Sequence, residues 1–300
     1  MTPLRFILVM CLLYLPTQNF GQEKGVKSEK KNYCDWTGCT LKPQDPAHFD
    51  PYYNGHLCEN FNPEQVDFSK EYFDLQTNRY LNADRNIRKN VNCNFSKIWT
   101  TNNFEQNGVL GQNYRRIHIH IDKVIVGKSF GTYLVIGKSK VDNKICTFKG
   151  TIKLLKIFPN DSCDNSEYKK CGDLFAEYMF YEDSSQNHSG IFHGITECSF
   201  FKDSTGKSAY VDESMSGADG YWNRTFVGTW SEYKTGIVKK CIWGDYRLPF
   251  TFDFDCGDGE MMVSGKYKKN GWQTFADGSE FVSNGKGKWK LKNRWWEAKK

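Results

Sequence analysis

The chain has 300 residues, 41 Lys and Arg against 35 Asp and Glu, 16% aromatic residues and eleven cysteines. A net charge of only +6 argues against a nucleic-acid binder, whose affinity comes largely from clustered basic contacts with phosphates. The aromatic content excludes a disordered, core-less chain. The longest apolar run falls well short of the ~20 residues that cross a bilayer as a helix, so no transmembrane helix is expected.

That run opens the chain. Arg5 precedes the apolar residues 6–16 (FILVMCLLYLP), and residues 17–22 form a polar exit ending in Gly21-Gln22. This is the layout of a secretory signal peptide, so residues 1–22 are expected to be removed and the rest to be secreted, in a periplasmic or extracellular space. The remainder holds 40 basic and 35 acidic residues and ten cysteines. An even cysteine count behind a signal peptide predicts a disulfide set. The chain has no C-x-x-C, which removes the zinc-ribbon and thioredoxin-type readings.

Residues 23–105 are expected to form a Cys- and Pro-rich cap and linker. Four of the eight prolines (Pro43, Pro46, Pro51, Pro63) and three cysteines fall within 34–63, which predicts irregular structure tied by disulfides. Phe68, Tyr72 and Leu75 have helical spacing and predict one short helix within 64–92.

Residues 106–300 are expected to form an all-β domain, an antiparallel barrel or barrel-like sandwich. In 114–122 (YRRIHIHID), Ile117, Ile119 and Ile121 alternate with Arg116, His118, His120 and Asp122. In 145–154, Cys146, Phe148, Ile152 and Leu154 oppose Thr147, Lys149, Thr151 and Lys153. Period two with one apolar face marks a half-buried strand. Asp142-Asn143 suits the hairpin turn between two such runs. Further strands are expected at 174–181, 190–200, 226–233, 239–248, 251–255 and 261–267.

The segments NGVLGQNYRRIHI (107–119), GKSKVDNKICTFKG (137–150) and FVGTWSEYKTGIVKKCIWGDYRLP (226–249) resemble exported bacterial β-rich proteins of unassigned function. Over about 107–250 that resemblance implies a fold and no activity. Gly228-Thr229-Trp230 is also similar to the lipocalin G-x-W, which opens the first strand of that family's barrel. Only 70 residues follow it here, too few for a full barrel begun at that point.

Five patterns bear on chemistry. Gly127-Lys128-Ser129-Phe130-Gly131 matches G-x-S-x-G, but a strand follows where a nucleophile elbow needs a helix, so a hairpin loop is expected. His118 and His120 share one strand face and are candidate zinc ligands if a third donor such as His193 approaches. Asp253, Asp255, Asp258 and Glu260 form the densest acidic stretch, and Asp255 and Asp258 are candidate calcium ligands. Lys286, Lys288, Lys290, Lys292 and Arg294 alternate with Trp289, Leu291 and Trp295, giving one basic and one aromatic face on a C-terminal strand. That face suits an anionic glycan or a lipid headgroup, or simply protects an edge strand. Asn94, Asn160, Asn187 and Asn223 begin N-x-[ST] triplets, which matter only in a host that glycosylates its exports. The favoured reading is an exported, soluble, non-catalytic binding or surface-associated protein. The alternative is an exported metal-assisted hydrolase using His118, His120 and the acidic stretch.

Overall fold

The structure is a computed structural model that describes residues 34–35, 38–39, 62–78, 80, 93–100, 106–160, 163, 170–257, 260–283 and 289–297. The leader, most of the expected cap, Asp258, Lys286 and Lys288 lie outside the described residues. Two short strands, β1 (Cys34–Asp35) and β2 (Gly38–Cys39), pair with each other. Helices α1 (Ser69–Asn78) and α2 (Ser96–Trp99) precede the sheet.

The alternating segments form β3 (Asn107–Leu110), β4 (Arg115–Val126), β5 (Thr132–Val141), β6 (Lys144–Asn160), β7 (Cys171–Glu182), β8 (Gly190–Lys202), β9 (Ala209–Val211), β10 (Trp222–Glu232) and β11 (Val238–Tyr246). Each of β3 to β8 pairs antiparallel with the next. β8 then pairs with β10, β10 with β11 and β11 with β3, which closes an eight-stranded barrel. β9 lengthens the wall only beside the end of β8. The expected turn is present, with Asp142 at φ 52° and Val141 paired to Lys144.

The barrel is filled by rings seated on glycines. Gly137 is the register partner of Phe148, Gly150 of Phe180, and Gly194 of both Tyr178 and Gly228. A Cβ on Gly137 would lie 2.4 Å from the Phe148 ring, and one on Gly228 would lie 2.8 Å from the Tyr178 hydroxyl. The missing side chains are the space the rings occupy. Phe148 stacks on Phe180 at 5.0 Å and Phe226 on Trp243 at 4.6 Å, with Tyr178 edge-on to the second pair. Each such pair contributes about 0.5–1.5 kcal/mol beyond the area it buries.

One end of the barrel is stoppered. Phe95, Ile98 and Trp99, on and beside α2, join the inner core, Phe95 against Phe200 and Trp99 against Tyr133. The backbone N–H of Phe95 donates to the Tyr133 hydroxyl at 3.1 Å.

Part of the wall is buried on both faces. Val109, Val227 and Ile242 point outward into a second aromatic cluster built by Phe68 and Tyr72 beside and on α1, and by Leu248, Phe250, Phe252, Phe254, Tyr267 and Trp272. The barrel therefore ends at Tyr246, and the following chain is an outer layer, not more barrel. This corrects the expected strands at 251–255 and 261–267. Phe252–Phe254 is a 3-10 turn, and a single bridge, Asp255 to Val263, joins the two stretches. Phe250 and Phe252 take φ of 53° and 45°, which breaks extended backbone where the alternation of side chains suggested it.

Two further expectations are corrected. The polar face of β4 is covered over part of its length: Arg116 is 3% and His120 8% exposed beneath the C-terminal chain, His118 is half-buried, and Asp122 alone of the four is exposed. The cysteines are not all bridged. Cys163–Cys171 is a disulfide spanning the β6–β7 connection, outside the expected cap, whereas Cys93, Cys146, Cys198 and Cys241 are buried thiols. Cys198 and Cys241 lie on β8 and β11, with β10 between them, and serve as small apolar side chains of the core.

Lys240 on β11 is almost fully buried in the outer layer, its ammonium 4.6 Å from the Tyr114 ring, 5.3 Å from Phe252 and 5.6 Å from Phe68. Burial pulls its pKa from 10.5 down to about 8. Between those values the unfolded chain holds a proton that the folded chain has released, so this group makes stability rise with pH. The Lys240→Met variant should lack that rise, worth up to about 3 kcal/mol at ~1.4 kcal/mol per tenfold. Urea unfolding of both proteins across the window checks this, and equal pH slopes would contradict it.

Candidate functional site: the open mouth of the barrel

The end opposite α2, where the 111–114, 142–143, 183–189 and 233–237 connections lie, is open and holds a cavity of about 230 Å³. Its inner wall continues the inward-facing rows of the strands. On β7 the row runs Leu174, Ala176, Tyr178, Phe180 and then Glu182. On β5 it ends with Ser139 and Val141, and on β10 with Trp230. Phe192, Leu110, Ile117 and Cys146 complete the apolar lining.

Glu182 is the polar centre of the cavity. It is 5% exposed and accepts three hydrogen bonds, from the Ser139 hydroxyl, from the Gly190 N–H at 2.8 Å and from the Trp230 indole N–H at 2.9 Å. Gly190 is needed there because a Cβ would meet the Trp230 ring at 2.8 Å and the Ser231 carbonyl at 2.2 Å. Burial raises the Glu182 pKa above its ordinary 4.5, opposed by the three donors. Among the described residues no Lys or Arg lies within ion-pair distance of it, so its charge is met by neutral donors alone.

The rim is charged. Arg115 pairs with Asp142 at 2.7 Å, His188 with Glu232 at 3.1 Å, and the Lys239 ammonium stands 5.4 Å from the Trp230 ring. Burial, helped by the nearby Glu182 charge, pushes the Cys146 thiol up to about 11, so it is not a thiolate nucleophile at neutral pH. Ser139 faces a carboxylate base, but the two N–H donors on that base are already spent on it. Bonded to Glu182, they do not point at a position an oxyanion would take. The arrangement can hold and orient a ligand.

The structure places the residues singled out by sequence elsewhere. His118 and His120 lie on the outer face of β4, against Trp295 at 6.0 Å and stacked on Trp296 at 4.3 Å, and His120 Nε2 is 3.4 Å from Asp122. His193 is on β8, four strands away in either direction around the barrel, and contacts Glu177 at 3.3 Å. Asp255 is buried 3.6 Å from the equally buried Arg247 and accepts the N–H groups of Gly257 and Met262. Burial raises its pKa to about 6 against the pull of Arg247. Among the described residues no three His, Cys, Asp or Glu side chains are grouped to hold a metal ion. Lys290 lies on β13 (Trp289–Leu291), paired with β12 (Phe281–Ser283), Lys292 is exposed, and Arg294 pairs with Glu297 at 2.6 Å. Ser129 sits in the β4–β5 hairpin loop, as its sequence context implies. Gly228-Thr229-Trp230 lies on β10, the seventh barrel strand, with Trp230 at the mouth.

Sequence reasoning missed Glu182 and Ser139. The signal was present: both are polar residues at inward positions of a period-two row that is otherwise apolar. Among the described residues no helix is long and apolar enough to cross a membrane. No protein-family model, curated protein or solved structure matches the chain, so the functional reading rests on this geometry.

Because the folded state disfavours the ionised Glu182, this group makes stability fall as pH rises from 4.5 through its raised value. The Glu182→Gln variant should lack that fall. Glu182→Leu, which strands three buried donors, should lose about 3 kcal/mol or more. Thermal unfolding from pH 4 to 8 reads both effects, and a Leu variant as stable as the wild type would contradict the assignment.

Proposed function

We propose that this is an exported, soluble, non-catalytic binding protein that takes a small ligand into the open mouth of its barrel. The observation that carries the reading is a buried carboxylate with no cationic partner within ion-pair distance among the described residues, set beside a tryptophan ring in a cavity with an apolar inner wall and a charged rim. At about 230 Å³ the cavity is smaller than the ~300–1,000 Å³ typical of sites for drug-sized ligands, so its occupant is small. The deepest polar group is an acceptor. The ligand accordingly presents an ammonium or other donor to Glu182 and an apolar body to Phe192, Leu110 and the Trp230 face. The leader-like first 22 residues and the Cys163–Cys171 disulfide support export, since such bridges persist in oxidising compartments.

The test uses two probes of similar size and opposite charge, 2-phenylethylammonium and phenylacetate, in calorimetric titrations. The amine should bind one to one, and Glu182→Gln or Trp230→Leu should weaken it about tenfold, the loss of one charge-assisted contact. Absence of binding, or equal binding of the carboxylate, would overturn the reading.

A further inference from the structure

We propose that the distal part of the β4–β5 hairpin, residues 123–136, with the neighbouring stretch of β6, docks on an anionic lipid bilayer, led by the 126–131 tip. This face lies away from the mouth, and the inference does not depend on what the mouth binds.

The charge pattern comes first. Between positions 123 and 160 the chain carries eight lysines, Lys123, Lys128, Lys138, Lys140, Lys144, Lys149, Lys153 and Lys156, and one carboxylate, Asp142. Asp142 is spent on Arg115 at the mouth. The fold sorts these lysines. The inward rows of β5 and β6 are apolar or small (Tyr133, Val135, Gly137 and Ser139; Cys146, Phe148, Gly150 and Ile152), so Lys138, Lys140, Lys149 and Lys153 point outward. The C-terminal chain takes up two of these, Lys138 donating to the Trp296 carbonyl and Lys140 lying 5.9 Å from the Trp295 ring. Lys156 lies over Phe73 of α1 and Lys144 lines the mouth, which leaves Lys123, Lys128, Lys149 and Lys153 around the hairpin. Three carboxylates lie beside the face: Asp122, 3.4 Å from His120 and 3.9 Å from Lys138; Glu177, the cross-strand partner of Lys153 and 3.3 Å from His193; and Asp183, which accepts from Ser185 and interacts with Lys149.

The second observation is independent of charge. Ile125, Val126, Phe130, Leu134 and Ile136 are 39%, 55%, 56%, 47% and 38% exposed, all on this one hairpin. Register makes three of them one outer patch: Ile125 faces Leu134, and Ile136 lies between Lys123 on β4 and Lys149 on β6. Val126, opposite Tyr133, and Phe130 are exposed at the tip, where they surround the barrel-end opening together with Lys128.

An acidic polysaccharide would need only the lysines. Exposed branched and aromatic side chains at the centre of a lysine field fit the boundary between headgroups and acyl chains, where apolar groups insert and lysine stems reach back to phosphates. Lysines near an anionic surface act together, so several suffice without any deep insertion.

The experiment is co-sedimentation of the mature protein with vesicles of phosphatidylcholine alone, and of phosphatidylcholine and phosphatidylserine in equal parts. Wild type should sediment with the mixed vesicles, about tenfold more tightly than with the neutral ones, and less as salt is raised. Val126→Ser/Phe130→Ser and Lys149→Glu/Lys153→Glu should each weaken this about tenfold, while Glu182→Gln, at the mouth, should sediment like wild type. All four substituted surface positions are exposed, and near-ultraviolet circular dichroism verifies that both variants keep the packed core. No sedimentation with the mixed vesicles, or sedimentation indifferent to the tip variant, overturns the proposal. Retention on immobilised heparin without vesicle binding also overturns it, and assigns the wall to an acidic polysaccharide.

Discussion

An eight-stranded barrel is only just wide enough inside for its own side chains. This one is filled with rings that such a width admits only where the facing strand has no side chain. Glycines 137, 150, 194 and 228 supply those gaps by register, each opposite or beside a ring from the neighbouring strand. The arrangement settles where the molecule is solid and where it is hollow. The middle is closed by Phe148, Phe180, Tyr178, Phe226 and Trp243, one end by residues 95–99, and what remains is the mouth. At the mouth the same device recurs with Gly190 beneath Trp230, and there it leaves the indole N–H pointing at Glu182.

The outer layer explains how a barrel wall carries charged residues inside a packed protein. Arg116 gives two hydrogen bonds to Glu280, at 2.6 and 2.9 Å, and lies over Trp272 and Phe275. Arg247 is held by Asp255 and by the carbonyls of Gly257 and Glu260. The Arg116 contacts fasten the outer layer to the barrel, and those of Arg247 fasten the turns of that layer to one another. A charge removed from water is tolerated when its partners are fixed, and is costly when one partner is taken away. The acidic stretch that resembles a cation site in sequence is, at Asp255, part of this fastening.

Much of the fold is legible in the sequence, because period two is a local property. The inward isoleucines of β4, the Cys146–Phe148–Ile152 row of β6, the Asp142-Asn143 turn and the helix bearing Tyr72 all follow from neighbours a few residues apart. What covers a face is not local. His118 and His120 read as one polar side of a strand, yet Trp295 and Trp296, more than 170 positions later, lie against them. The stretch 251–255 alternates like a strand and turns instead, because Phe250 and Phe252 adopt left-handed backbone that side-chain pattern does not reveal. Cysteine count suggested bridging throughout, while pairing depends on which inward faces meet, and Cys198 and Cys241 do not meet. Glu182 was readable in principle, as a carboxylate standing where the alternation calls for an apolar residue.

The molecule has one governing asymmetry, a barrel solid through its middle and open at one end around an acceptor held by three donors. The ligand is proposed to enter there, and the donors themselves are the reporters. The most direct measurement is a titration of ¹⁵N-labelled protein with 2-phenylethylammonium, followed in amide and indole correlation spectra. The account predicts that the Trp230 indole N–H and the Gly190 amide, both bonded to Glu182, move together along one saturating curve while α2 and the outer layer stay still. Shifts scattered over the surface, or saturation without any change at Trp230 and Gly190, would contradict it.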